Sequence, residues 1–171
     1  MDAKRNDPAA PFAMRRTFDA PRAQVFDAFV SLAAFGEWWG PKGTKLTNLR
    51  MDVREGGVTH YALNLPDGGL MWGRAHYRVV TPTTRLVWVN SFSNPAGEVA
   101  RHPGHEGWPL QILVEVVFEE QGGKTTLSLT SSPLDASEAE CATFDEGRAS
   151  MVGGWSGSFD QLDTYLMGTP R

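Results

Sequence analysis

The sequence has 171 residues, 41% of them hydrophobic and 21% charged, a composition typical of a globular domain with its own core. It contains no apolar run long enough to span a membrane, and a net charge of −4 without a block of Lys or Arg argues against nucleic-acid binding. The single cysteine, Cys141, permits no intramolecular disulfide, and because no apolar signal segment opens the chain we expect a cytoplasmic protein.

The N-terminal part is predicted to form a strand followed by two short helices. Alternating apolar residues predict the strand over 12–18. Pro21 suits the first turn of a helix because its missing N–H would be unpaired there in any case. Ser31 is a candidate N-cap for the second helix, and Gly40-Pro41 ends it.

Beyond residue 48 the apolar period changes from about 3.6 to 2, which predicts a run of antiparallel strands. Leu49, Met51 and Val53 alternate with charged residues, and Gly56-Gly57 signals a hairpin. Further strands are predicted over 58–65, 71–80, 85–92, 110–120 and 125–131, with a long loop over 93–109.

The C-terminal segment is predicted to be one helix of about thirty residues, which is long for a globular protein. Ser137 and Glu140 have the spacing of a capping box, and apolar residues then recur at helical spacing up to Gly168. Gly153 and Gly154 lie inside this helix at a cost of about 1 kcal/mol each relative to alanine. Either close packing on the sheet or a gap beside a cavity would explain them.

These elements predict an α+β fold, in which a curved antiparallel sheet of six or seven strands wraps around the long C-terminal helix. The helix is the one element large enough to cover the apolar face of the sheet. A strongly curved sheet leaves space beneath such a helix, and we expect a ligand pocket there.

Several motifs occur along most of the chain: Phe18-Asp19-Ala20-Pro21, Val25 to Phe29, Trp38 to Gly43, Asp52 to Gly57, Pro82-x-x-Arg85-Leu86, and Gly154-Trp155 with Leu162 and Leu166. Over residues 12–167 they resemble the helix-grip superfamily (START-like, Bet v 1-like, SRPBCC) and, within it, the family named after the activator of the heat-shock protein 90 ATPase, homologue 1. The resemblance implies a single helix-grip domain over 12–168 after a flexible tail over 1–11. The family includes co-chaperone domains and binders of lipids or polyketides. Its co-chaperone carries a further N-terminal chaperone-binding domain, which we do not expect here.

Nine residues are candidates for lining an apolar ligand cavity: Trp38, Trp39, Tyr61, Trp88, Phe92, Trp108, Arg148, Met151 and Trp155. The aromatic residues either line one chamber, with methionine as an adaptable wall, or fill a solid core. The adjacent Trp38 and Trp39 cannot both face the core of a regular element, so one closes the cavity or both serve packing. Arg148 falls on or near the apolar face of the long helix, where it reaches solvent, pairs with an internal carboxylate or binds an anionic ligand head.

Four histidines are the other candidates for chemistry. His102 and His105 flank a Pro-Gly pair beside Glu106, but no third zinc ligand is near, so we expect a loop at the pocket rim with Trp108 as a lid. His60 and His76 lie in strands, and either would be a general base if it faced the cavity. No motif for a nucleotide, a metal or a catalytic nucleophile is present. We therefore assign no catalytic residue, metal ligand or cofactor.

Three functions follow as hypotheses. The first is binding of an apolar or amphipathic small molecule in the cavity between the sheet and the C-terminal helix. The second is a polyketide-cyclase or hydrolase-like enzyme that uses the same cavity. The third is a co-chaperone that stimulates a chaperone ATPase, with a chaperone or other protein as its partner. The sequence leaves open whether the chain is a monomer or a homodimer.

Overall fold

The computed structural model describes residues 10–170, so the first nine residues of the predicted tail lie outside the described range. Within that range no helix is both long and apolar enough to cross a membrane. The elements in chain order are β1 (Phe12–Phe18), α1 (Arg22–Val30), α2 (Leu32–Trp38), β2 (Lys45–Arg50), β3 (Val58–Asn64), β4 (Leu70–Thr81), β5 (Arg85–Ser93), β6 (Val99–Ala100), β7 (Gln111–Gln121), β8 (Lys124–Leu134), α3 (Glu138–Glu146) and α4 (Arg148–Met167).

The strands form one antiparallel sheet in the order β1-β8-β7-β5-β4-β3-β2. The two-residue β6 lies inside the predicted loop over 93–109 and pairs with β5. The predicted α+β architecture, with two short helices after β1 and a long C-terminal helix, is therefore confirmed, and β6 brings the number of strands within residues 10–170 to eight.

The core lies between one face of the sheet, here called the inner face, and the helices. Alternate residues of the central strands point to this face, as the period of 2 predicts. Buried apolar residues on it include Leu86 and Trp88 of β5, Val114, Val116 and Phe118 of β7, and Leu127 and Leu129 of β8. The helices add Phe26, Phe29, Phe35, Phe159 and Leu162.

The strand predicted from the alternation at Leu49 is shifted in the structure. β2 ends at Arg50, and its pairing with β3 is irregular between Thr47 and Arg50. Asn48 takes a φ of 52°, a left-handed conformation that interrupts an extended strand. The prediction of a regular strand through Val53 was wrong, because β2 is irregular at Asn48 and ends at Arg50.

Both predicted side-chain caps are present. The hydroxyl of Ser31 accepts a hydrogen bond from the backbone N–H of Ala34 at 3.5 Å, at the start of α2. Ser137 and Glu140 form the capping box of α3, each side chain accepting from the other residue's backbone N–H, at 3.2 Å and 2.8 Å. These bonds satisfy donors that the first helical turn leaves free.

The prediction of one continuous C-terminal helix was wrong at Gly147, which separates α3 from α4. A Cβ at this position would lie 2.8 Å from the ring of Trp108, closer than carbon atoms approach without a clash. Glycine therefore lets the Trp108 ring pack against the backbone at the junction. The ring also lies 5.6 Å from that of Phe144, the buried anchor of α3.

A buried hydroxyl pair on the inner face predicts a loss of stability at high pH. Burial raises the pKa of Tyr77 from 10.0 to about 12, and its hydroxyl lies 2.8 Å from that of Thr59. Because the folded state holds the phenol proton more tightly than the unfolded state, Tyr77 contributes to the free energy of unfolding. This contribution is present below pH 10 and is lost as pH rises toward 12. We expect the free energy of unfolding to fall by about 1 kcal/mol from this group between pH 9 and pH 11.

Urea titrations at the two pH values measure this loss. The double substitution Tyr77→Phe with Thr59→Val removes the ionisable group and leaves neither hydroxyl unpaired. This variant should show a smaller loss than the unsubstituted protein. An equal loss in both proteins would assign the effect to other groups.

Candidate functional site

The first cavity, here called the Trp39 cavity, lies between the inner face of the sheet and α4. Its volume is about 290 Å³. Its walls are mainly aromatic and aliphatic, and within the described residues none of its lining side chains is acidic, basic or histidine. The lining residues are Trp39, Gly40, Pro41, Tyr61, Leu63, Met71, Trp72, Gly73, Asn90, Ser91, Phe92, Met151, Gly154, Trp155 and Ser158.

The second cavity, here called the Trp108 cavity, lies beneath the α3–α4 junction and the loop that follows β6. Its volume is about 520 Å³. It has an apolar floor from β7 and a polar rim with two histidines and one glutamate. The residues that it does not share with the first cavity are His102, His105, Trp108, Ile112, Val114, Ser131, Thr143, Glu146, Gly147 and Ser150.

Four residues line both cavities: Asn90, Phe92, Met151 and Trp155. The sheet supplies the first two from β5, and α4 supplies the other two. The cavities are therefore neighbours that meet at these side chains, so one elongated molecule could contact both.

The adjacent residues Trp38 and Trp39, at the end of α2, have different environments. Trp38, the last residue of the helix, is buried and donates its Nε1–H to the carbonyl of Ala28 at 2.8 Å. Trp39 follows in extended conformation, stacks on Phe35 with ring centroids 4.6 Å apart, and meets Trp155 across the cavity at 5.6 Å. The helix end thus turns one ring into the core and the next into the cavity wall.

The turn after Trp39 fastens α4 over the cavity. The carbonyl of Gly40 accepts hydrogen bonds from Ser158 Oγ at 2.9 Å and Gln161 Nε2 at 2.6 Å. Gly40 has a φ of 114°, and a Cβ there would lie 2.8 Å from Thr44 and 2.9 Å from Leu63. The position therefore requires glycine.

The glycines inside α4 have open space around them. A Cβ added at Gly153 or Gly154 would meet nothing within 4 Å apart from the adjacent helix backbone. Gly153 is exposed, whereas Gly154 lines the Trp39 cavity. Of the two explanations that the sequence left open, close packing on the sheet is excluded, and Gly154 lies at a gap beside a cavity.

Tyr61 forms the floor of the Trp39 cavity. Its ring covers Gly73 on the neighbouring strand, where a Cβ would lie 2.7 Å from the hydroxyl oxygen. Burial raises the pKa of Tyr61, and a hydrogen bond from Trp39 opposes the rise. The phenol is therefore neutral at physiological pH and offers a ligand a polar but uncharged contact.

Six of the predicted ligand-binding residues lie on cavity walls: Trp39, Tyr61, Phe92, Trp108, Met151 and Trp155. Trp38 does not, because its ring is enclosed between α1 and α2. Trp88 is buried beside a third void of only about 10 Å³. Its Nε1–H has no hydrogen-bond partner among residues 10–170.

Arg148 also lies outside the walls of both cavities. It is the first residue of α4 and donates to Asp145 Oδ1, from Nε at 2.9 Å and from Nη2 at 2.7 Å. It also donates to the carbonyl of Ala10 and lies over the ring of Phe144 at 5.8 Å. Arg148 therefore reaches solvent, as one of the alternatives expected, and its carboxylate partner is the exposed Asp145 and not an internal one.

The strand histidines face away from the cavities. His60 alternates with Tyr61, which lines a cavity, and its Nε2 lies 3.1 Å from Ser93 Oγ. His76 lies between the core residues Ala75 and Tyr77 in β4. Since successive strand residues point to opposite faces, both histidines lie on the outer face, where neither can act on a molecule in the cavities.

The histidines of the loop lie at the rim of the Trp108 cavity. The ring centroid of His102 lies 4.4 Å from that of Phe92 and 6.3 Å from that of His105. Burial, and then the charge of His105, lower the pKa of His102, so its imidazole is neutral at pH 7. An ion pair between Arg101 and Glu140 ties this loop to α3. Residues 10–170 contain no group of three or more His, Cys, Asp or Glu side chains placed to hold a metal ion.

Sequence reasoning missed Asn90 and the residues that anchor α4, Ser158 and Gln161. An asparagine within a predicted strand shows its importance only when its face is known. The two anchors are visible in sequence only as polar positions on an otherwise amphipathic helix.

Solved structures share this fold. A protein of Arthrobacter aurescens is 20% identical with a TM-score of 0.79, and the match covers 95% of this chain and 89% of that one. A Mycobacterium smegmatis protein is 21% identical with a TM-score of 0.73, covering 93% and 91%. A Chromobacterium violaceum protein is 19% identical with a TM-score of 0.71, covering 93% and 98%. At these identities the likeness establishes the fold alone.

The family comparison extends over most of the chain. A search of curated proteins found no match. The family model described as activator of Hsp90 ATPase homolog 1-like protein matches residues 19–167, the same stretch that carries the Trp-Trp-Gly-Pro turn and the α4 anchor. The chain therefore belongs to the family of activator of Hsp90 ATPase homolog 1-like proteins.

Proposed function

We propose that the protein binds an apolar or amphipathic small molecule between the inner face of the sheet and α4. The observation that carries the proposal is the pair of neighbouring cavities, about 290 Å³ and 520 Å³, which share four lining residues. Small-molecule sites have volumes of roughly 300–1,000 Å³ and mainly apolar walls. Burial of a ligand's apolar surface would stabilise the complex by about 25 cal/mol per Å².

We propose that Trp39, Tyr61 and Trp155 contact the apolar body of the ligand, together with Phe92 and Met151. Trp108 would cover its far end at the α3–α4 junction. Lipids and polyketides are the ligand classes that we propose. The chain's single cysteine, Cys141, is a free thiol, which fits the reducing cytoplasmic compartment proposed for the protein.

Native mass spectrometry of the purified protein, followed by a thermal-shift screen of fatty-acid derivatives and aromatic polyketides, tests the proposal. We expect a co-purified small molecule or a saturable rise in melting temperature, because a ligand that binds only the folded state stabilises it. An unliganded mass together with no shift for any compound would contradict binding in the cavities.

An acid–base enzyme is the second candidate, and one observation favours it. His102, with its lowered pKa, lies at the rim of the Trp108 cavity with His105 and Glu146. A neutral imidazole at pH 7 is able to accept a proton. Conversion of a screened compound, seen as a changed ligand mass, would favour this alternative over simple binding.

The family description suggests a chaperone as partner, which requires an exposed docking surface. Within residues 10–170 the exposed large apolar side chains are spread over four elements: Leu32 in α2, Leu70 in β4, Val99 in β6, and Val152 and Met167 in α4. The cavities therefore carry the proposal better than the surface does. Co-purification of a chaperone in place of a small molecule would reverse that preference.

A further inference from the structure

Asn90 is the polar side chain common to both cavities. It lies in the middle of the sheet, paired with Ala75 of β4 on one side and Ile112 of β7 on the other. Its neighbours along the same strand face are Trp88 and Phe92. A carboxamide is therefore placed on an apolar surface, at the point where the two cavities meet.

The side chain of Asn90 makes no hydrogen bond to another residue within 10–170. An amide carries two N–H donors and an acceptor oxygen, and leaving such groups unpaired is costly once water is displaced. In the Trp39 cavity Ser158 is already engaged, since it donates to the carbonyl of Gly40, whereas Tyr61 also presents a neutral hydroxyl. Asn90 thus presents a free hydrogen-bonding group to whatever fills the cavities.

The charged residues near the cavities limit which ligand groups can bind beside the Asn90 amide. Neither cavity is lined by a lysine or an arginine among the described residues. Arg148, the cation nearest in sequence to the helical wall, is paired with Asp145. At the rim of the Trp108 cavity, Glu146 adds negative charge. A carboxylate placed beside Asn90 would be desolvated with no cation to compensate it.

We propose that the site selects an uncharged amphipathic ligand whose neutral carbonyl, hydroxyl or amide group hydrogen-bonds to the Asn90 carboxamide, and that it discriminates against the corresponding carboxylate. This inference rests on the proposed function and specifies its ligand class. The apolar body of the ligand lies against Trp39 and Trp155, and the neutral group lies at the junction of the two cavities.

Fluorescence titration with three matched compounds tests the inference. Dodecanamide, 1-dodecanol and dodecanoic acid share one chain length and differ in the head group, and at pH 8 only the acid is ionised. Tryptophan emission reports binding, because Trp39 and Trp155 are in the walls. We expect the amide and the alcohol to bind at least about tenfold more tightly than the acid.

The substitution Asn90→Leu keeps the shape of the side chain and removes its hydrogen bonds. We expect it to weaken dodecanamide binding by about 3–10-fold and to weaken binding of the neutral dye N-phenyl-1-naphthylamine less than that. The matched control is Asn64→Leu, at the end of β3 and outside both cavity linings, which should change neither affinity.

The outcomes separate the inference from the proposed function. The inference would be overturned by equal affinity for acid and amide, by tighter binding of the acid, or by an Asn90→Leu variant that binds dodecanamide normally. In each of these cases, binding of the dye to the unsubstituted protein would still support the cavity proposal. Failure of the dye and of all three dodecyl compounds to bind would overturn the cavity proposal itself.

Discussion

The substitution Trp38→Ala is expected to lower the free energy of unfolding by about 3–5 kcal/mol, the usual cost of truncating a buried tryptophan. The ring of Trp38 is almost fully buried and makes edge contacts with Phe29 and Phe35, with centroids 4.8 Å and 5.9 Å apart. Truncation would leave a cavity and would also deprive the carbonyl of Ala28 of its donor. Since small domains are stable by only about 5–15 kcal/mol, this loss would remove a large share of the free energy of unfolding.

Urea unfolding followed by circular dichroism measures this change. The variant Trp38→Phe, which keeps most of the ring volume, is the fallback if the alanine variant does not fold, and it should lose about 1–2 kcal/mol. Trp155→Ala is the comparison at the cavity wall, where the ring is only partly buried. It should cost less stability than Trp38→Ala and weaken ligand binding more. A loss below about 1 kcal/mol for Trp38→Ala would contradict the assignment of the Trp38 ring to the hydrophobic core.

The substitution Gly154→Leu is expected to weaken ligand binding at least about tenfold without unfolding the protein. The added side chain would start in open space at the wall of the Trp39 cavity and occupy part of its 290 Å³. Glycine inside a helix is also less stable than leucine by about 0.5–1 kcal/mol. The variant should therefore be as stable as the unsubstituted protein, or more stable, while losing the ligand.

Gly153→Leu is the matched control. Its position lies one residue earlier in α4, an added Cβ there also meets nothing within 4 Å, and the residue is exposed to solvent outside both cavity linings. Titration of both variants with N-phenyl-1-naphthylamine should show a loss for Gly154→Leu and near-normal binding for Gly153→Leu. If both variants bind the dye normally, the ligand does not occupy the Trp39 cavity.

Local signals in the sequence account for most of the fold. The capping box at Ser137 and the cap at Ser31 act within four residues of chain, so the patterns that identify them are complete in the sequence. The alternation in β5 and β7 likewise records which side chains are buried. The break in the C-terminal helix lies at Gly147, where the Trp108 ring packs against the backbone, and that contact forms only in the folded chain. A helical pattern carries no trace of that contact.

The candidate site was predictable to the extent that it is made of large apolar side chains. Tyr61, Phe92 and Trp155 stand out in the sequence because aromatic residues on a predicted inner face must pack or line a space. The assignment of Arg148 to the cavity followed from helical spacing through Gly147, whereas in the structure its side chain pairs with Asp145, three residues earlier. The faces of His60 and His76 required strand register, which comes from pairing with distant segments.

Contacts near both ends of α4 hold the helix in place over the sheet. At one end Phe144 is buried and the Trp108 ring rests on Gly147; at the other, Gln161 is bonded to the carbonyls of Trp38 and Gly40. The part of α4 between these contacts covers the Trp39 cavity. Phe144 and Gln161 lie beside this part of the helix and line neither cavity. Under the proposed function, substitutions at Phe144 or Gln161 would change the space beneath α4, and with it the size of ligand that fits, without altering any cavity-lining residue.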